Sequence, residues 1–482
     1  MRARGSHRYW RSSLSPLLPL VFVVTGSCLA GSCIYSNRWR LLSSNHPDNA
    51  WETTSMPPAD PAAGTPGFRV SPSPRGSEYF EGSRSARLKS PFPESPDKGT
   101  PTVAQSFVFA NNKGGVGKST ILFNLVTEYA KRHPEVNVLV IDLSLYSDSS
   151  TLLLGGTRKE DGIQRGRLMM QRIPPRCKAS GLIGALLQFA REKRLKSSWW
   201  PNRQWFRKHS FDFAKHTIPL QDPRFHPTAP PNLFLSAGGP DLREAIGTEN
   251  WEDACYALRQ SMTASLLDPK DPRGEKGGVM GLRQWVIFFD TDHEIHTPYA
   301  TLALGCAERM ILPLSLDEND YDRLFVGEIA LFPILEEMQH HGTLRAKIDR
   351  LVFNRMLPHQ NAPYVDEGTG GRLPFTPVQS EFAQMKSIAK DLHGRYLQGM
   401  HTLFLDADNV GTSFNRFMQR YVTALRLAAP TTINFSKMRG IALSQLDDSN
   451  IDTGKVSKAT LQPLKKNLGE IADGLESRES VL

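Results

Sequence analysis

The sequence predicts an α/β domain in which helices flank a mainly parallel sheet. Short apolar runs rich in β-forming residues alternate along the chain with amphipathic helical segments, a pattern typical of this fold class. One such run, residues 106–110, precedes a glycine-rich loop, and a helical pattern over residues 120–132 follows the loop. We therefore expect one domain, over about residues 104–445, with a phosphate site at the carboxyl edge of its strands.

The glycine-rich loop, residues 113–120, reads Lys-Gly-Gly-Val-Gly-Lys-Ser-Thr. Its glycines let the backbone curl until successive N–H groups and the helix N-terminus point at phosphate oxygens. Lys118 would reach the β- and γ-phosphates, and the Ser119 hydroxyl would ligate Mg²⁺. A glycine turn followed by a surface lysine is the alternative interpretation. The strand before the loop and the helix after it favour a P-loop NTPase-type fold.

The loop departs from the common P-loop pattern Gly-x-x-x-x-Gly-Lys-Ser at its start, where Asn112 replaces the first glycine and Lys113 follows. This deviant Walker A motif resembles that of the ParA/MinD family of ATPases. The resemblance implies that ATP and Mg²⁺ are cofactors and that Lys113 reaches the nucleotide of a second subunit in an ATP-bridged homodimer. It also implies which residues contact the nucleotide: Lys113, Gly114, Gly115, Val116, Gly117, Lys118, Ser119 and Thr120.

Two aspartates close later apolar strands in the order found in this family. Asp142 lies near the end of residues 137–143 and matches the first switch carboxylate, near the magnesium. Asp290 ends residues 285–290, which resemble the Walker B strand, and would hold Mg²⁺ through water. The resemblance thus gives Ser119, Asp142 and Asp290 as metal-site residues and Lys113 and Asp142 as catalytic residues. Each aspartate taken alone could be only a turn residue.

The resemblance extends more weakly over about residues 104–428. Residues 351–356 resemble the strand whose asparagine, here Asn354, contacts the adenine, although a strand-end asparagine is usually a turn former.

Two departures from the family pattern bear on hydrolysis. Many members carry a second aspartate two residues after the first, where this chain has Ser144, and a serine is not an effective base at neutral pH. Asp148 is a candidate substitute. After the Walker B strand, residues 291–294 (Thr-Asp-His-Glu) replace the usual proline-containing switch and add acid beside the metal site. We therefore expect nucleotide binding more firmly than rapid turnover.

The N-terminal region is predicted to lie outside the domain. Residues 1–44 contain no acidic residue, carry several arginines and include an apolar run, as a targeting segment or a membrane anchor would. A targeting segment would place the protein in a plastid or mitochondrion; the alternatives are a membrane-anchored or a cytoplasmic protein. Residues 45–103 are rich in Pro, Ser and Gly, which predicts a disordered linker.

A basic insertion is predicted at about residues 157–230. Residues 158–215 hold 15 Lys and Arg against 4 Asp and Glu, a net charge of +11 against +9 for the whole chain. Aromatic residues are interleaved with these cations. Such a surface could bind DNA or an anionic membrane, or could be an insertion that packs on the core with its charges solvated.

Residues 446–482 are predicted to form a tail with a short amphipathic helix. One apolar stripe recurs at helical spacing and consists of Leu461, Leu464, Leu468, Ile471 and Leu475. Because the polar face has mixed charge, packing against the protein or a partner is favoured over membrane binding.

Composition excludes some classes of protein. The chain has 482 residues, 39% of them hydrophobic, which is enough for a sizeable core. Its five cysteines are odd in number and lack a Cys-x-x-Cys pair, which argues against a disulfide scaffold and against iron–sulfur relatives of this class.

The resemblance leads to a functional prediction. The protein would be an ATP-binding, ATP-hydrolysing switch that dimerises on ATP, responds to a ParB-like or other activator, and partitions or positions DNA or another cargo. The alternatives are a non-hydrolysing nucleotide-binding adaptor and an ATP-dependent amidating enzyme with a related P-loop.

Overall fold

The structure is a computed structural model that describes residues 105–197, 211–226, 228–247, 250–264, 285–327, 330–447 and 458–476. The predictions for residues 1–44 and 45–103 lie outside the described residues, as does the part of the basic insertion at residues 198–210, which holds three of its tryptophans. Within the described ranges, no helix is both long enough and apolar enough to cross a bilayer.

Within the described residues the central sheet has eight strands, and its mainly parallel order confirms the predicted fold class. In chain order they are β1 (Ser106–Phe109), β2 (Asn137–Leu143), β3 (Ile218–Pro219), β4 (Leu233–Ser236), β5 (Trp285–Thr291), β6 (Arg309–Leu314), β7 (Lys347–Met356) and β8 (Val422–Arg426). Their spatial order is β8-β7-β6-β1-β5-β2-β4-β3, and every pair is parallel except β3 with β4. Strand β1 therefore lies inside the sheet, and the loop that follows it emerges between β5 and β6.

Helices cover both faces of the sheet. They are α1 (Lys118–Arg132), α2 (Asp148–Leu153), α3 (Arg165–Gln171), α4 (Ala179–Ser197), α5 (Leu242–Ala245), α6 (Trp251–Ala264), α7 (Pro298–Cys306), α8 (Glu318–Asp322), α9 (Leu331–His340), α10 (Gln379–Leu397), α11 (Ala407–Val410), α12 (Phe414–Tyr421), α13 (Pro430–Arg439) and α14 (Lys458–Glu476). Two-stranded ribbons pair Lys159–Glu160 with Ile163–Gln164, Pro358–Gln360 with Thr376–Pro377, and Tyr364–Val365 with Arg372–Leu373.

Alternation along the buried strands divides the core into two apolar layers. Phe107 and Phe109 of β1 point to the layer beneath α1, while Val108 points to the opposite layer with α4, α6 and α7. Because both faces are covered, the inner strands are apolar almost throughout. The ring of Phe107 stacks on Phe288 of β5, with centroids 4.9 Å apart.

The described part of the basic insertion forms the first ribbon, α3, α4 and the edge strand β3. Helix α4 buries Leu182, Ile183 and Leu186 against the sheet, while Arg167 in α3 and Arg172 directly after it are exposed. The insertion is thus packed onto the domain in its described part and presents cations at the surface.

The C-terminal helix α14 packs on the domain, against α1. All five residues of the stripe found in the sequence are buried: Leu461, Leu464, Leu468, Ile471 and Leu475. Polar contacts fix the helix to the sheet, since Asn467 accepts a hydrogen bond from the Arg426 backbone and donates one to the Ala424 carbonyl (2.9 and 3.2 Å). Helix α14 is therefore an integral part of the apolar layer that also contains α1.

A buried ion cluster lies at β7. The carboxylate of Asp349 is fully buried and accepts hydrogen bonds from Arg309 (2.7 Å) and Arg420 (2.8 Å). Burial disfavours its charge, but these arginines and Arg350 outweigh that penalty and hold its pKa below the ordinary value. Arg309 also donates to the Leu475 carbonyl, so the cluster connects the sheet with α14.

Candidate nucleotide site

The glycine-rich loop forms the cradle that its sequence predicts. Gly115 and Gly117 have φ values of +82° and +96°, which residues with a Cβ rarely adopt, and Gly117 precedes the first residue of α1. Gly114 and Gly115 are exposed, and a Cβ at either position would meet no atom within 4 Å, so this side of the loop is open to a ligand. Ser119 and Thr120 lie half-buried in the first turn of α1.

Lys118 folds back over the loop. Its Nζ donates to the backbone carbonyls of Asn111 (2.9 Å) and Lys113 (3.1 Å). Burial lowers the pKa of this ammonium group, and the nearby carboxylates of Asp290, Asp292 and Asp148 oppose that shift. The side chain thus stands between the loop backbone and a group of acids, where phosphate oxygens could replace the carbonyls as its partners.

Two asparagines that sequence reasoning missed anchor the start of the loop. Asn111 donates to the Pro313 carbonyl at the end of β6 (2.7 Å) and accepts from the Lys113 backbone (2.8 Å). Asn112, which stands in place of the first glycine of the common P-loop pattern, donates to the Arg323 carbonyl (2.6 Å). The only available signal was that both are short amides directly after a strand, a common position for turn formers.

The two predicted metal-site aspartates are brought together. Asp142 and Asp290 are direct neighbours in the register of β2 and β5, and both are fully buried. Burial, and secondly the charge of Asp142, raises the pKa of Asp290 to about 7. Burial likewise raises the pKa of Asp142 to about 6.

The two carboxylates differ in their hydrogen bonding. Asp142 accepts bonds from the backbone N–H of Ser144 (3.0 Å) and from both the N–H (3.0 Å) and the hydroxyl (2.5 Å) of Ser150. Neither oxygen of Asp290 receives a well-aligned hydrogen bond from any described residue. The hydroxyls of Ser119 and Ser149 lie near Asp290 and lower its pKa, but by less than burial raises it. A buried carboxylate without such partners is costly unless a cation or proton compensates it.

These residues fit Mg²⁺ and a nucleotide phosphate. The donor set, a buried carboxylate beside the hydroxyl of Ser119, is the hard oxygen type that Mg²⁺ prefers. The described residues contain no cluster of three or more His, Cys, Asp or Glu side chains suited to holding a metal. Mg²⁺ sites on nucleotides commonly use one or two carboxylates together with phosphate oxygens, as this arrangement would.

Asn354 and Lys113 lie at the edge of the loop. The Asn354 amide donates to the Val116 carbonyl (2.7 Å), and its Nδ2 lies 2.5 Å from where a Cβ on Gly117 would be. The sequence prediction for Asn354 was an adenine contact; the structure places it against the P-loop backbone. Lys113 is half-buried beside the loop, and its reach into a second subunit remains a prediction.

Two further acids approach Lys118 from the switch segments. Asp148, the first residue of α2, has its pKa raised by burial and by the charge of Asp292. Asp292 is buried; it accepts a hydrogen bond from the backbone N–H of His293 (2.7 Å) and contacts the ring Nδ1 of that residue (2.6 Å). Ser144 is buried, and its hydroxyl accepts from the Tyr146 backbone (3.2 Å). Asp148, the candidate substitute for the second switch aspartate, and Asp292, from the segment after the Walker B strand, therefore both lie near the P-loop lysine.

The fold and this site define a P-loop nucleotide-binding α/β protein. The sequence model of the CobQ/CobB/MinD/ParA nucleotide-binding domain matches residues 107–452, and the chain belongs to that family. This confirms the resemblance inferred from the deviant Walker A motif.

Several solved structures share features of the fold. They include a variant of Cyanothece McdA in complex with ATP (13% identity, 79% of this chain and 100% of that chain, TM-score 0.43). A plasmid partition protein of Borrelia burgdorferi bound to AMPPNP has 13% sequence identity; the match covers 77% of this chain and 98% of that chain, with a TM-score of 0.38. The pNOB8 ParA protein bound to nonspecific DNA has 12% sequence identity; the match covers 77% of this chain and 97% of that chain, with a TM-score of 0.40. No curated protein sequence matches the chain significantly.

Proposed function

We propose that this protein is an ATP-dependent molecular switch of the ParA/MinD type that binds ATP with Mg²⁺ and dimerises in that state. The observation that carries the proposal is Asp290, a fully buried carboxylate without well-aligned hydrogen bonds from the described residues, close to Ser119 and Lys118 of the P-loop. A divalent cation bound between Asp290 and phosphate oxygens would compensate this charge. When bound, Mg²⁺ supplies charge neutralisation at the phosphates.

Nucleotide binding would also rearrange the two lysines of the loop. Lys118 donates to the Lys113 carbonyl in this structure, and the γ-phosphate would compete for that ammonium group. The backbone at Lys113 would then lose one contact. This gives a physical link between phosphate binding and the lysine that the family resemblance assigns to the dimer interface.

Hydrolysis is proposed to be slow. Ser144 occupies the position of the second switch aspartate, and its hydroxyl already accepts a hydrogen bond from the Tyr146 backbone. Asp148 and Asp292 supply negative charge near Lys118, but partial burial and the charge of Asp292 raise the pKa of Asp148 above its ordinary value, which weakens it as a substitute for the missing carboxylate. A nucleotide-binding adaptor without turnover is the second candidate function, and Ser144 is the observation that favours it.

The cargo and the partner surface are proposed from charge. The exposed cations of the basic insertion suit DNA phosphates or an anionic membrane, and a ParB-like or other activator could reset the switch. An amidating enzyme with a related P-loop is the remaining alternative.

ATP binding is the first test. Isothermal titration of the full chain with Mg·ATP should show binding that Lys118→Ala weakens at least about tenfold, because a charge-assisted contact to phosphate is lost. Lys131→Ala is the matched control, since that lysine is exposed in the last turn of the same helix. Equal affinity in Lys118→Ala and wild type would overturn the proposal.

Turnover and dimerisation are tested separately. Phosphate release by wild type should be slow and should increase in Ser144→Asp, whereas rapid release by wild type would contradict the role assigned to Ser144. Sedimentation with and without ATP should show a dimer that Lys113→Ala abolishes. A nucleotide-dependent dimer in Lys113→Ala would show that this lysine does not bridge the subunits.

A further inference from the structure

A cavity lies away from the P-loop, where the end of α13 meets the first ribbon. Its volume is about 260 Å³. Three segments form its walls: the loop and ribbon after α2, the connection between β3 and β4, and the end of α13. These segments contribute Arg158 and Glu160, His226 and Thr228, and Met438 and Arg439, respectively.

The cavity carries an excess of positive charge. Arg158, Arg165 and Arg439 face a single acid, Glu160, which pairs with Arg165 at 3.0 Å. Arg158 and Arg439, which come from different segments, are exposed at the mouth. Arg165 is half-buried, and its charge acts on the ring of His226. Three arginines against one glutamate give the lining a net positive charge, which favours an anionic ligand.

His226 forms a neutral polar base for the cavity. It is buried; its Nε2 lies 2.7 Å from the Gly440 carbonyl and its Nδ1 lies 3.1 Å from the Thr228 hydroxyl. Because a carbonyl only accepts, Nε2 carries the proton and Nδ1 accepts from Thr228. Burial lowers the pKa of this imidazole, and the Arg165 charge adds to that effect. Both ring nitrogens are thus engaged by protein groups.

The remaining lining is apolar, since Phe225, Met438 and Ile441 complete the walls. Guanidinium groups bind phosphate oxygens in bidentate geometry, and an apolar wall suits the organic part of a ligand. We propose that this cavity is a binding site for a small phosphorylated molecule, with its phosphate between Arg158 and Arg439.

The backbone contacts beside the cavity connect it with the switch segment. The N–H groups of Thr157 and Arg158 donate to the carbonyls of Lys437 and Met438, each at 2.9 Å. A Cβ on Gly156 would lie 2.3 Å from the Lys437 carbonyl oxygen, so only glycine allows this approach. The same chain segment runs back through α2 to Ser150, which holds Asp142. A ligand that ties Arg158 to Arg439 would stabilise this docking.

The test uses the full chain carrying Lys118→Ala, in EDTA, so that the P-loop contributes little to phosphate binding. Inorganic phosphate is the probe, titrated by calorimetry. The parent should bind phosphate, and Arg158→Gln combined with Arg439→Gln should weaken binding at least about tenfold, because charge-assisted hydrogen bonds are lost. Arg416→Gln, an exposed arginine on α12, is the matched control and should leave affinity unchanged.

The outcomes decide the proposal. Partial recovery of affinity with Arg158→Lys and Arg439→Lys would support it, because lysine retains the charge without the bidentate geometry. Absence of phosphate binding in the parent, or equal affinity in the doubly substituted protein, would overturn it. Displacement of phosphate by a short DNA duplex would also overturn it, since the arginines would then belong to a nucleic-acid surface. Because the parent lacks the P-loop lysine, these results are independent of ATP binding.

Discussion

Replacing Asp290 with asparagine should change how the stability of the ligand-free protein depends on pH. Burial and the charge of Asp142 raise the pKa of Asp290 from 3.8 to about 7. Each unit of pKa corresponds to about 1.4 kcal/mol, so the rise corresponds to at most about 4 kcal/mol. The folded state binds this proton more tightly than the unfolded state. The stabilisation is therefore complete below about pH 4 and is lost as the pH rises through about 7.

Urea unfolding in EDTA between about pH 5 and 8 measures this effect. Wild type should lose stability across the interval by up to a few kcal/mol more than Asp290→Asn, and the variant should be the more stable protein at the upper end. Asp408→Asn is the matched control, because Asp408 is exposed on α11. This substitution should leave the pH dependence of the free energy of unfolding unchanged. Parallel pH profiles for wild type and Asp290→Asn would refute the assignment of Asp290 as a buried carboxylate that is charged only at a cost.

Two predictions concern the core. Leu468→Ala in α14 should lower the free energy of unfolding, measured by urea titration, by about 2–5 kcal/mol, because removing a fully buried leucine side chain leaves a cavity. Lys466→Ala, on the exposed face of that helix, is the control and should leave the free energy of unfolding nearly unchanged. Asp349→Ala should cost about 3–5 kcal/mol, since it leaves Arg309 and Arg420 buried without their carboxylate; unchanged thermal stability would show that the cluster contributes nothing.

The sequence predicted the parts of the site that local chemistry determines. The P-loop has a required composition, and Gly115 and Gly117 have the positive φ values that the curl of this loop needs and that favour glycine. The aspartates at 142 and 290 could be placed at one sheet edge because parallel strands end together. Their direct adjacency could not be predicted, since it depends on the strand order β5-β2, which the chain order does not give.

Contacts between distant segments were beyond sequence reasoning. Gly469 of α14 weakens a helix by its intrinsic propensity, yet the structure explains it, because the Arg132 side chain of α1 occupies the space where a Cβ would lie. Asn354 could be assigned only by resemblance, while its observed partner, the Val116 carbonyl, lies 238 residues earlier. The cavity beside α13 combines three segments, none of which carries a recognisable motif.

The packing of α14 on α1 has a consequence for biosynthesis. Asp473, which pairs with Arg132, is made 341 residues after it. At ~5–20 residues per second, roughly 20–70 s separate the two on the ribosome. Throughout that interval the P-loop helix exists without the leucines of α14, and the surface that they cover is available to chaperones or to other nascent chains. The nucleotide-binding domain therefore completes its core only when synthesis has passed α14.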